Sequence, residues 1–554
     1  MITQDKFPQL LEYLGFTQRK SIFMKTIGAA MLVVDIENQE IRYPETTGFM
    51  VKERQPCNFS ANENFVVFEC VHRLLEKGYK PEHMELEPKW KLWRCASGGR
   101  ADILIKDNAG KPILIIECKT AGNEFKRAWN KTLQDGDQLF SYVQQTGETQ
   151  FLCLYASNFS NDTLSYQSHV IAHRDNEKYL ADNPTFKGFK AVTDVKARFA
   201  VWRDTYKLDY TTKGIFEDNI QAYQIGKDKY TIADLQSISA ADQQKKYHEF
   251  ATILRQHIVS GRENAFDKLV NLFLCKLVDE TENPQELKFY WKGVAYDTHF
   301  DLLDRLQQLY QAGMGKFLGE DITYINQSDV YNALRFIRQN PDATQRAVWN
   351  LFVQQKFFTN NDFSLIDVHN EKLFYQNAEV LLKILQMWQD IRLIGDHQHN
   401  QFLGDMFEGF LDQGVKQSEG QYFTPMPFCR FILMSLPLDT LIRNHATPPK
   451  AIDFACGAGH FLNELAMQIK PLVEKHKKID IADYHKAIYG IEKEYRLSKV
   501  AKVYAFMYGQ QYINICYGDA LVNRHAAFPE IKDNSFDLLV ANPPYSVRGF
   551  LETL

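Results

Sequence analysis

The segment AIDFACGAG (451–459) joins a short apolar run to an acidic residue and a glycine-rich turn, and three similar runs follow it along the chain. These runs are AIYGIE (487–492), YINICYGDA (512–520) and FDLLVANPPY (536–545), and helix-like stretches follow the first and second of the four. Strands that alternate with helices are typical of an α/β unit built on a parallel sheet. This part of the sequence therefore predicts four strands of such a sheet.

The turn after the first of these strands is a candidate ligand site. Gly457 and Gly459 let the backbone approach a ligand closely, and they open the next helix. A turn of this kind fits a dinucleotide, S-adenosylmethionine or a tight turn without a ligand. Glu492 ends the second strand, where an acidic residue commonly binds ribose hydroxyls. Asp453 ends the first strand and Asp519 follows the third, so both are further candidates for the same site.

The motif Asn542-Pro543-Pro544-Tyr545 suits the methylation of an exocyclic amino group on a base. The nitrogen of that group is a poor nucleophile because its lone pair is delocalised into the ring. If Asn542 Oδ1 and the Pro543 carbonyl accept its hydrogens, the nitrogen moves toward sp³ geometry and the lone pair is freed. The prolines stiffen the loop, and Tyr545 can stack on a base flipped out of a duplex. The alternative is a proline-rich turn with a buried tyrosine, which the order of the preceding motifs disfavours.

A segment before the first strand strengthens this interpretation. The stretch GQYFTP (420–425), with the helix-like residues before it, resembles the corresponding segment of gamma-type N6-adenine DNA methyltransferases, especially type I modification subunits. The resemblance implies a Rossmann-like fold that binds S-adenosylmethionine. It implies catalytic roles for Asn542, Pro543, Pro544 and Tyr545. The residues that it assigns to the cofactor are Tyr422, Thr424, Pro425, Asp453, Ala455, Gly457, Gly459, Glu492 and Asp519.

A second constellation lies near the N-terminus, in SGGRADILIKDNAGKPILIIECKTAG (97–122). Two apolar runs flank the turn DNAG and predict a hairpin, with Asp102 opening the first strand and Glu117 near the end of the second. Strand periodicity places Glu117 and Lys119 on one face, which Asp102 can reach across the hairpin. Two carboxylates can hold Mg²⁺, which acidifies a bound water and stabilises charge on a phosphate under attack. The alternative is a surface hairpin whose charges are solvated.

The sequence around this hairpin resembles the PD-(D/E)xK nuclease domain of type I restriction subunits, over roughly residues 50–160. The flanking features are a helix that begins at Glu63 and a helical face that carries Gln138 and Tyr142. Glu69 lies on the same predicted helix as Glu63 and is the alternative to it. By this resemblance the metal ligands are Glu63, Asp102 and Glu117. The catalytic residues that it implies are Asp102, Glu117, Lys119, Gln138 and Tyr142.

The predicted fold class is a multidomain α/β chain. Residues 1–205 are predicted to form the PD-(D/E)xK nuclease-like domain, and residues 206–400 a helical connector that resembles the N-terminal helical domain of type I modification subunits. Residues 401–554 are predicted to form the first part of a Rossmann-like methyltransferase domain, with four strands present. The helical prediction rests on apolar residues at helical spacing in NAFDKLVNLFLCKLVDE (264–280) and AEVLLKILQMWQDI (378–391).

Composition limits the compartment and the partners. The chain has 554 residues and a formal net charge of −5, and none of its apolar runs is long enough to span a membrane. Nine scattered cysteines without a Cys-x-x-Cys pair favour reduced thiols, and with the resemblances they predict a cytoplasmic protein of a bacterium or archaeon. A nucleic-acid partner needs a local basic surface at this net charge. EFKRAWNK (124–131) is a candidate, although a short charge run is more often a solvated helix face.

These features predict a restriction–modification enzyme that resembles the type IIG and type I systems. The predicted activities are S-adenosylmethionine-dependent methylation of adenine N6 and Mg²⁺-dependent cleavage of double-stranded DNA, so that methylation protects sites that the nuclease would cut. One alternative is a modification subunit whose nuclease-like domain binds DNA without cutting it. Another is a cofactor-binding scaffold that needs a partner chain. A third is an RNA or protein methyltransferase, because the Asn-Pro-Pro-Tyr motif also serves glutamine amides.

The position of the Asn-Pro-Pro-Tyr motif so close to Leu554 bears on this interpretation. A parallel sheet that ends after its fourth strand would expose an unpaired edge and an uncovered apolar face. The sequence is therefore expected to be a fragment of a longer chain, or else to be completed by another polypeptide. A specificity or completing subunit is accordingly a further candidate partner.

Overall fold

The computed structural model describes most of the chain, in two compact units. The N-terminal unit comprises Met1–Lys229 with Lys292–Thr298, and the C-terminal unit comprises Tyr230–Trp291 with His299–Leu554. The described residues are 1–88, 101–146, 149–218, 220–226, 230–237, 240–257, 259, 262–326, 328–329, 344, 348, 351–352, 356–358, 361–394, 424–477, 479–512, 514–521 and 529–543.

Two β-sheets organise the N-terminal unit. Its described strands are β1 (Thr17–Arg19), β2 (Ile22–Ile27), β3 (Ala30–Asp35), β4 (Glu40–Arg42), β5 (Met50–Val51), β6 (Met84–Leu86), β7 (Ile103–Lys106), β8 (Pro112–Cys118), β9 (Phe151–Ser160) and β10 (Thr163–Ala172). The first four strands form an antiparallel meander, and the other six form a mixed sheet in the order β10-β9-β8-β7-β6-β5. Strand β8 pairs with β7 as an antiparallel hairpin and with β9 in parallel. The predicted hairpin is therefore present, in the middle of a larger sheet.

The middle strands of the mixed sheet are buried along most of their length. Every residue of β8 from Leu114 to Cys118 is buried, and so are the first seven residues of β9. Strands covered on both faces read as continuous apolar runs, which explains the composition of PILIIEC. The helices of this unit are α1 (Phe7–Tyr13), α2 (Asn62–Lys77), α3 (Asn123–Asp135), α4 (Asp137–Thr146), α5 (Glu177–Asp182) and α6 (Val195–Asp204). Of these, α2, α3 and α4 contact β9.

Helix α2 has clear signals at both ends. Glu63 lies in its first turn, where a carboxylate interacts favourably with the helix dipole. Gly78 follows its last residue with a φ of 101°, and the Gly78 amide donates to the carbonyls of Leu74 and Leu75. The helix predicted to begin at Glu63 is therefore confirmed to within one residue.

Helices form much of the C-terminal unit. Those described are α7 (Ala240–Gln256), α8 (Arg262–Glu282), α9 (His299–Gly313), α10 (Glu371–Gln389), α11 (Met426–Met434), α12 (Leu438–Asn444), α13 (His460–His476), α14 (Ile481–His485) and α15 (Tyr495–Met507). The two amphipathic segments of the sequence are confirmed as α8 and α10. They share a core in which the rings of Phe273 and Trp388 lie 4.9 Å apart. No helix in the described part of the chain is long and apolar enough to cross a membrane.

The four predicted strands of the C-terminal unit are also confirmed. They are β11 (Ala451–Asp453), β12 (Ile488–Glu492), β13 (Asn514–Tyr517) and β14 (Leu538–Leu539). Their order is β13-β12-β11-β14, and every neighbouring pair is parallel. The chain moves outward from β11 through β12 to β13 and then returns to the other side of β11. Open α/β sheets bind their ligands at such a reversal, outside the carboxyl ends of the strands.

The helical segment and the α/β segment share one core within the C-terminal unit. Val500, Val503 and Tyr504 of α15 are buried together with Phe273 of α8. Lys499 of α15 adds hydrogen bonds to α8, through Asn271, and to α9, through Tyr310. The predicted domain boundaries at residues 205 and 400 stay predictions.

Candidate functional site

Three carboxylates of the N-terminal unit converge at one end of the β7–β8 hairpin. Asp102 directly precedes β7, and the pairing of Ile103 with Ile116 places it opposite Glu117 of β8. Glu63 joins them from the first turn of α2. One oxygen of each carboxylate lies within 4.8 Å of one oxygen of each of the others. We call Glu63, Asp102 and Glu117 the acidic cluster.

Lys119 and Tyr142 donate hydrogen bonds to the acidic cluster. Lys119 Nζ donates to Glu63 Oε1 at 2.6 Å and to Glu117 Oε1 at 2.7 Å. The hydroxyl of Tyr142, on α4, donates to Glu117 Oε2 at 2.9 Å. Both oxygens of the Glu117 carboxylate are thus oriented by the protein itself. The spacing Glu-x-Lys explains the contact between Glu117 and Lys119, because residues two apart on a strand share a face.

With all three carboxylates ionised, the acidic cluster has more negative charge than the lysine beside it can neutralise. Burial raises the pKa of Asp102 well above its ordinary value, and the charges of Glu117 and Glu63 raise it further. Burial also raises the pKa of Glu117. For Lys119 burial lowers the pKa, but attraction by Glu117, Asp102 and Glu63 outweighs this effect, so its pKa is raised. An additional cation would favour the ionised carboxylates.

The donor atoms of the acidic cluster suit a hard divalent cation. Mg²⁺ prefers carboxylate oxygens and retains several waters, so a site with three carboxylates is sufficient for it. The group described here contains neither cysteine nor histidine, the ligands that favour softer metals. Glu63, Asp102 and Glu117 are therefore the residues that could hold Mg²⁺.

The structure separates the two glutamates that the sequence left as alternatives. Glu69 is fully buried on α2 and belongs to another network. Arg73 Nε donates to Glu69 Oε1 at 3.0 Å, and the Tyr155 hydroxyl donates to Glu69 Oε2 at 2.6 Å. Glu63, in contrast, points into the acidic cluster. Gln138 is exposed on α4, and within the described residues no hydrogen bond joins its side chain to the acidic cluster.

The glycine-rich turn of the C-terminal unit begins where β11 ends. Gly457 and Gly459 have φ values of 54° and 82°, in the left-handed region that glycine adopts most readily. A Cβ atom at Gly459 would lie 3.4 Å from the Cβ of Ala501, so the glycine also permits close packing between α13 and α15. The backbone N–H of Ala455 donates to Asp453 Oδ1 at 3.0 Å. This bond fixes the start of the turn against the end of the strand.

A buried carboxylate, Asp453, and a half-buried one, Glu492, flank this turn. Glu492, at the end of β12, accepts hydrogen bonds from the backbone N–H groups of Gly457 and Glu494, both at 2.8 Å. Burial raises the pKa of Glu492. Burial and, to a lesser extent, the charge of Glu492 raise the pKa of Asp453 to about 7, against the stabilising N–H of Ala455. Within the described residues, backbone amides and not basic side chains stabilise these two carboxylates.

Asp519, the third acidic residue of the series, has different surroundings. Lys493 Nζ lies 2.7 Å from Asp519 Oδ2, and the backbone N–H of Leu521 donates to Oδ1 at 3.0 Å. The hydrogen bond from Lys493 holds the pKa of Asp519 below its ordinary value. The sequence pattern did not single out Lys493, and its position directly after Glu492 is the only local signal of a role there.

The Asn-Pro-Pro-Tyr motif meets the Thr-Pro segment beside the turn. Asn542 Nδ2 donates to Thr424 Oγ1 at 3.0 Å. The carbonyl of Thr424 in turn accepts a hydrogen bond from Nδ1 of His460, the first residue of α13, at 3.1 Å. Asn542 and Pro543 are exposed, and Pro425 forms the N-cap of α11. The two motifs are therefore in direct contact, although 118 positions separate them.

His460 is a site residue that the sequence pattern did not predict. Burial lowers its pKa, which favours the neutral imidazole that donates from Nδ1 to Thr424. Its position directly after AIDFACGAG was the available signal, because the first residue of the helix lies next to any ligand of the turn. Three predicted site residues, Tyr422, Pro544 and Tyr545, lie outside the described residues.

The strand order, the glycine-rich turn and the acidic strand ends are features of the doubly wound class of α/β domains. Within this class, residues 398–553 match the family model described as N-6 DNA Methylase. The matched residues include the turn, the three acidic residues and Asn542, and all of them lie in the C-terminal unit. This part of the chain is therefore similar to N6 DNA methyltransferases, whereas the nuclease prediction for the N-terminal unit stays a prediction.

A curated relative is the methylase subunit of the type I restriction enzyme MpnII from Mycoplasma pneumoniae, which is 22% identical over 334 residues. The alignment covers 55% of this chain and 58% of the length of that relative, so the chain spans little more than half of it. A solved methyltransferase subunit of a type I restriction-modification system from Streptococcus thermophilus is 14% identical, with a TM-score of 0.29 over 56% of this chain and 66% of that one. The type IIG restriction endonuclease BpuSI is 13% identical, with a TM-score of 0.26 over 82% of this chain and 42% of that one.

Proposed function

We propose that the C-terminal unit transfers a methyl group from S-adenosylmethionine to N6 of adenine in DNA. The observation that carries this proposal is the hydrogen bond from Asn542 to Thr424, which joins the two motifs of the methyltransferase resemblance next to the glycine-rich turn. The match of residues 398–553 to N-6 DNA methylases supports the same reaction.

The contact between Asn542 and Thr424 bears on the chemistry of the amino group. An amide has donors only on its nitrogen and acceptors only on its oxygen. Because Thr424 engages the nitrogen, Asn542 Oδ1 remains to accept a hydrogen from the adenine amino group. The carbonyl of Pro543, next in the chain and also exposed, is the second acceptor. With both hydrogens accepted, the lone pair of the nitrogen is available for attack on a methyl group.

The ends of the C-terminal strands fit S-adenosylmethionine, which supplies an electrophilic methyl group when bound. Gly457 and Gly459 provide a turn without side chains, where a ligand can approach the backbone. Glu492 would accept hydrogen bonds from the ribose hydroxyls, the usual partners of an acidic residue at the end of the second strand. Asp519 offers a further acceptor after the third strand.

The test is a methyl-transfer assay of the whole chain with duplex DNA and S-adenosylmethionine labelled in the methyl group. We expect label in N6-methyladenine after digestion of the DNA to nucleosides, and we expect Asn542→Ala to remove it while cofactor binding remains. Label in cytosine, in RNA or in protein glutamine would contradict the proposal. Cofactor binding without methyl transfer to any of these would favour the alternative of a cofactor-binding scaffold.

We propose as a second activity that the N-terminal unit cuts DNA in the presence of Mg²⁺. The specific observation in favour is the acidic cluster, with Lys119 and Tyr142 in contact with it. Mg²⁺ at this cluster would acidify a water and stabilise charge on the phosphate. Lys119 would remain hydrogen-bonded to the carboxylates and could orient the attacking water.

Cleavage is tested on supercoiled plasmid with the whole chain, with and without Mg²⁺. We expect nicked and linear DNA only with the metal, and we expect none from Asp102→Ala. Glu12→Ala, which removes an exposed carboxylate of α1, is the matched control and should cut like the parent protein. If the parent chain binds DNA and does not cut it with Mg²⁺, the domain is the non-cleaving alternative.

Two activities on one chain would have a simple biological logic. Methylation marks the sites that the nuclease would otherwise cut, so the first activity protects DNA from the second. Duplex DNA is then the common substrate. We also propose a specificity or completing subunit as a partner, because the relative from Mycoplasma pneumoniae is described as a subunit of a larger enzyme.

A further inference from the structure

The exposed face of α3 combines positive charge with side-chain amides. Lys126, Arg127 and Lys131 are exposed on this helix, as are Asn123, Asn130 and Gln134. With 3.6 residues per turn these six side chains share the face opposite the buried Phe125, Trp129 and Thr132. We call Asn123, Lys126, Arg127, Asn130, Lys131 and Gln134 the α3 basic face.

The acidic residues of α3 lie outside this face. Glu124 and Asp135 project at one edge of it, where Glu124 accepts a hydrogen bond from the hydroxyl of Thr120. Lys131 Nζ lies 3.3 Å from Asp137, which is a weak contact for an exposed pair. Lys126 and Arg127 have no ion pair or side-chain hydrogen bond to the part of the chain that the structure describes.

The α3 basic face is close in the chain to the acidic cluster and is held on a rigid support. The helix begins at Asn123, four positions after Lys119. Its backbone is joined to the preceding loop by the bond from the Phe125 N–H to the Thr120 carbonyl, at 3.3 Å. Trp129, which is 7% exposed, packs against His169 of β10 with ring centroids 4.3 Å apart. The charges are therefore carried by an anchored helix and not by a free loop.

We propose that the α3 basic face binds the phosphates of the DNA duplex that the acidic cluster cuts. This inference rests on the proposed nuclease function and adds the surface that would hold its substrate. Arg127 and Lys131, four residues apart on one side of the helix, are separated by ~6 Å along its axis, from a rise of about 1.5 Å per residue. Two successive steps along one DNA strand rise by about 7 Å, so the two cations can meet phosphates of the same strand.

The chemistry of the face favours nucleic acid over a membrane or an apolar protein partner. Lysine, arginine, asparagine and glutamine are the side chains that contact DNA phosphates and sugars. A helix that binds a lipid surface carries large apolar residues beside its cations. The apolar residues of α3 face the core instead, with Phe125 3% exposed and Trp129 7% exposed.

The test compares two double variants of the whole chain that change the total charge equally. Lys126→Glu with Arg127→Glu reverses charge on the α3 basic face. Arg19→Glu with Lys20→Glu reverses two exposed charges at β1, which lies beside the later part of α2 because Phe16 packs on Phe68 and His72. Affinity for duplex DNA is measured over a range of salt concentrations without divalent metal, so that DNA is bound and not cut.

We expect the slope of log affinity against log salt, which is negative, to become less steep by about 2 in the α3 double variant, since each lost phosphate contact removes about 0.9 from its magnitude. The β1 double variant should keep the slope of the parent chain. Equal slopes for the two double variants would overturn the proposal. So would tighter binding of an RNA duplex than of the DNA duplex with the same dependence on Lys126 and Arg127.

Two further measurements keep this test separate from the nuclease proposal. A photo-crosslinking residue at Asn130 should capture the DNA, whereas the same residue at Arg19 should not, whatever other parts of the chain contribute to affinity. Calorimetric titration with Mn²⁺ alone should give equal affinity for the parent and the α3 double variant. If the parent binds no Mn²⁺, the nuclease proposal fails, while the salt slope and the crosslink still decide whether this face binds DNA.

Discussion

The acidic cluster and the acidic ends of β11 and β12 hold similar carboxylates in different ways. In the acidic cluster, three carboxylates converge within 4.8 Å, and Lys119 donates to two of them. Tyr142 donates to Glu117, while Asp102 accepts the backbone N–H of Cys118. At the C-terminal strands, Asp453 and Glu492 each accept backbone N–H groups. Burial raises the pKa of carboxyl groups in both places, so burial alone does not distinguish them.

The difference lies in how many negative charges face one another. Converging carboxylates repel one another, and a divalent cation relieves that repulsion while it binds to their oxygens. Carboxylates that accept backbone N–H groups still have lone pairs that can accept hydrogen bonds from hydroxyl and amino groups. These are the groups of a nucleotide-like ligand. The first arrangement thus favours a metal and the second favours an organic cofactor. Substitutions that remove a charge and keep the shape of the side chain can test which carboxylates bind a metal and which bind an organic cofactor.

The largest expected effect follows from Glu117→Gln. The glutamine keeps an acceptor for Tyr142 but removes one negative charge from the acidic cluster. We expect Mg²⁺-dependent cleavage to fall about 10³-fold, because metal stabilisation of the transition state contributes several kcal/mol. Plasmid cleavage measures the loss of activity, and Mn²⁺ calorimetry measures the change in metal affinity. Cleavage at the parent rate would contradict a metal role for this carboxylate.

A pH-dependent effect on stability is expected for Asp453→Asn. The carboxyl group of Asp453 has a pKa of about 7 in the folded chain and an ordinary value of 3.8. Between these values the folded chain retains a proton that the unfolded chain has released, so the free energy of unfolding falls as pH rises. Asparagine does not titrate. The free energy of unfolding of the variant should therefore rise relative to that of the parent by a few kcal/mol from pH ~4 to pH ~7.

The measurement for Asp453→Asn is the urea midpoint of the C-terminal unit at several pH values, with the parent chain beside it. The difference between variant and parent should grow with pH in this window and stay constant above it. A difference that does not vary with pH would mean that the carboxyl group of Asp453 titrates near its ordinary pKa.

A smaller effect is expected for Glu492→Gln. The glutamine oxygen can still accept the N–H of Gly457, but the amide nitrogen cannot accept the N–H of Glu494, and the charge-assisted acceptor for ribose hydroxyls is gone. We expect the dissociation constant for S-adenosylmethionine to rise by about one to two orders of magnitude, since a hydrogen bond to a charged group contributes about 1.5–3 kcal/mol. Calorimetry with the cofactor measures it, and the rate at saturating cofactor should change little. A lower saturated rate with unchanged affinity would assign Glu492 to the chemical step instead.

The parts of the two sites that the sequence predicted are those with local patterns. Asp453, Glu492 and Asp519 were located because each follows an apolar strand, and Glu117 with Lys119 because residues two apart share a strand face. The four parallel strands followed from alternating strands and helices, whereas their order in the sheet was not predicted. The helices α8 and α10 followed from apolar residues at helical spacing.

The rest depended on packing between distant segments. Glu63 and Glu69 lie on one helix, and only the placement of α2 against the mixed sheet decides which of them reaches the acidic cluster. The pairing of Lys493 with Asp519 and the contact of His460 with Thr424 likewise join residues without a shared local pattern. The meander of β1 to β4 was not predicted from the sequence either. Its short strands give few residues over which a period can be read.

The smallest expected effect concerns Thr424. It separates a role in binding S-adenosylmethionine from a role in the methyl-transfer step of the C-terminal unit. Thr424→Val removes Oγ1 and keeps the shape, so Asn542 Nδ2 loses its partner while the Thr424 carbonyl keeps the bond from His460. A hydrogen bond of this kind contributes about 1 kcal/mol, so we expect methyl transfer at saturating cofactor to fall about fivefold. Thr424→Ser, which retains the hydroxyl, should restore most of the rate. Since the resemblance assigned Thr424 to the cofactor, the opposite result is informative. If Thr424→Val weakens binding of S-adenosylmethionine and leaves the saturated rate unchanged, Thr424 acts on the cofactor and does not position Asn542.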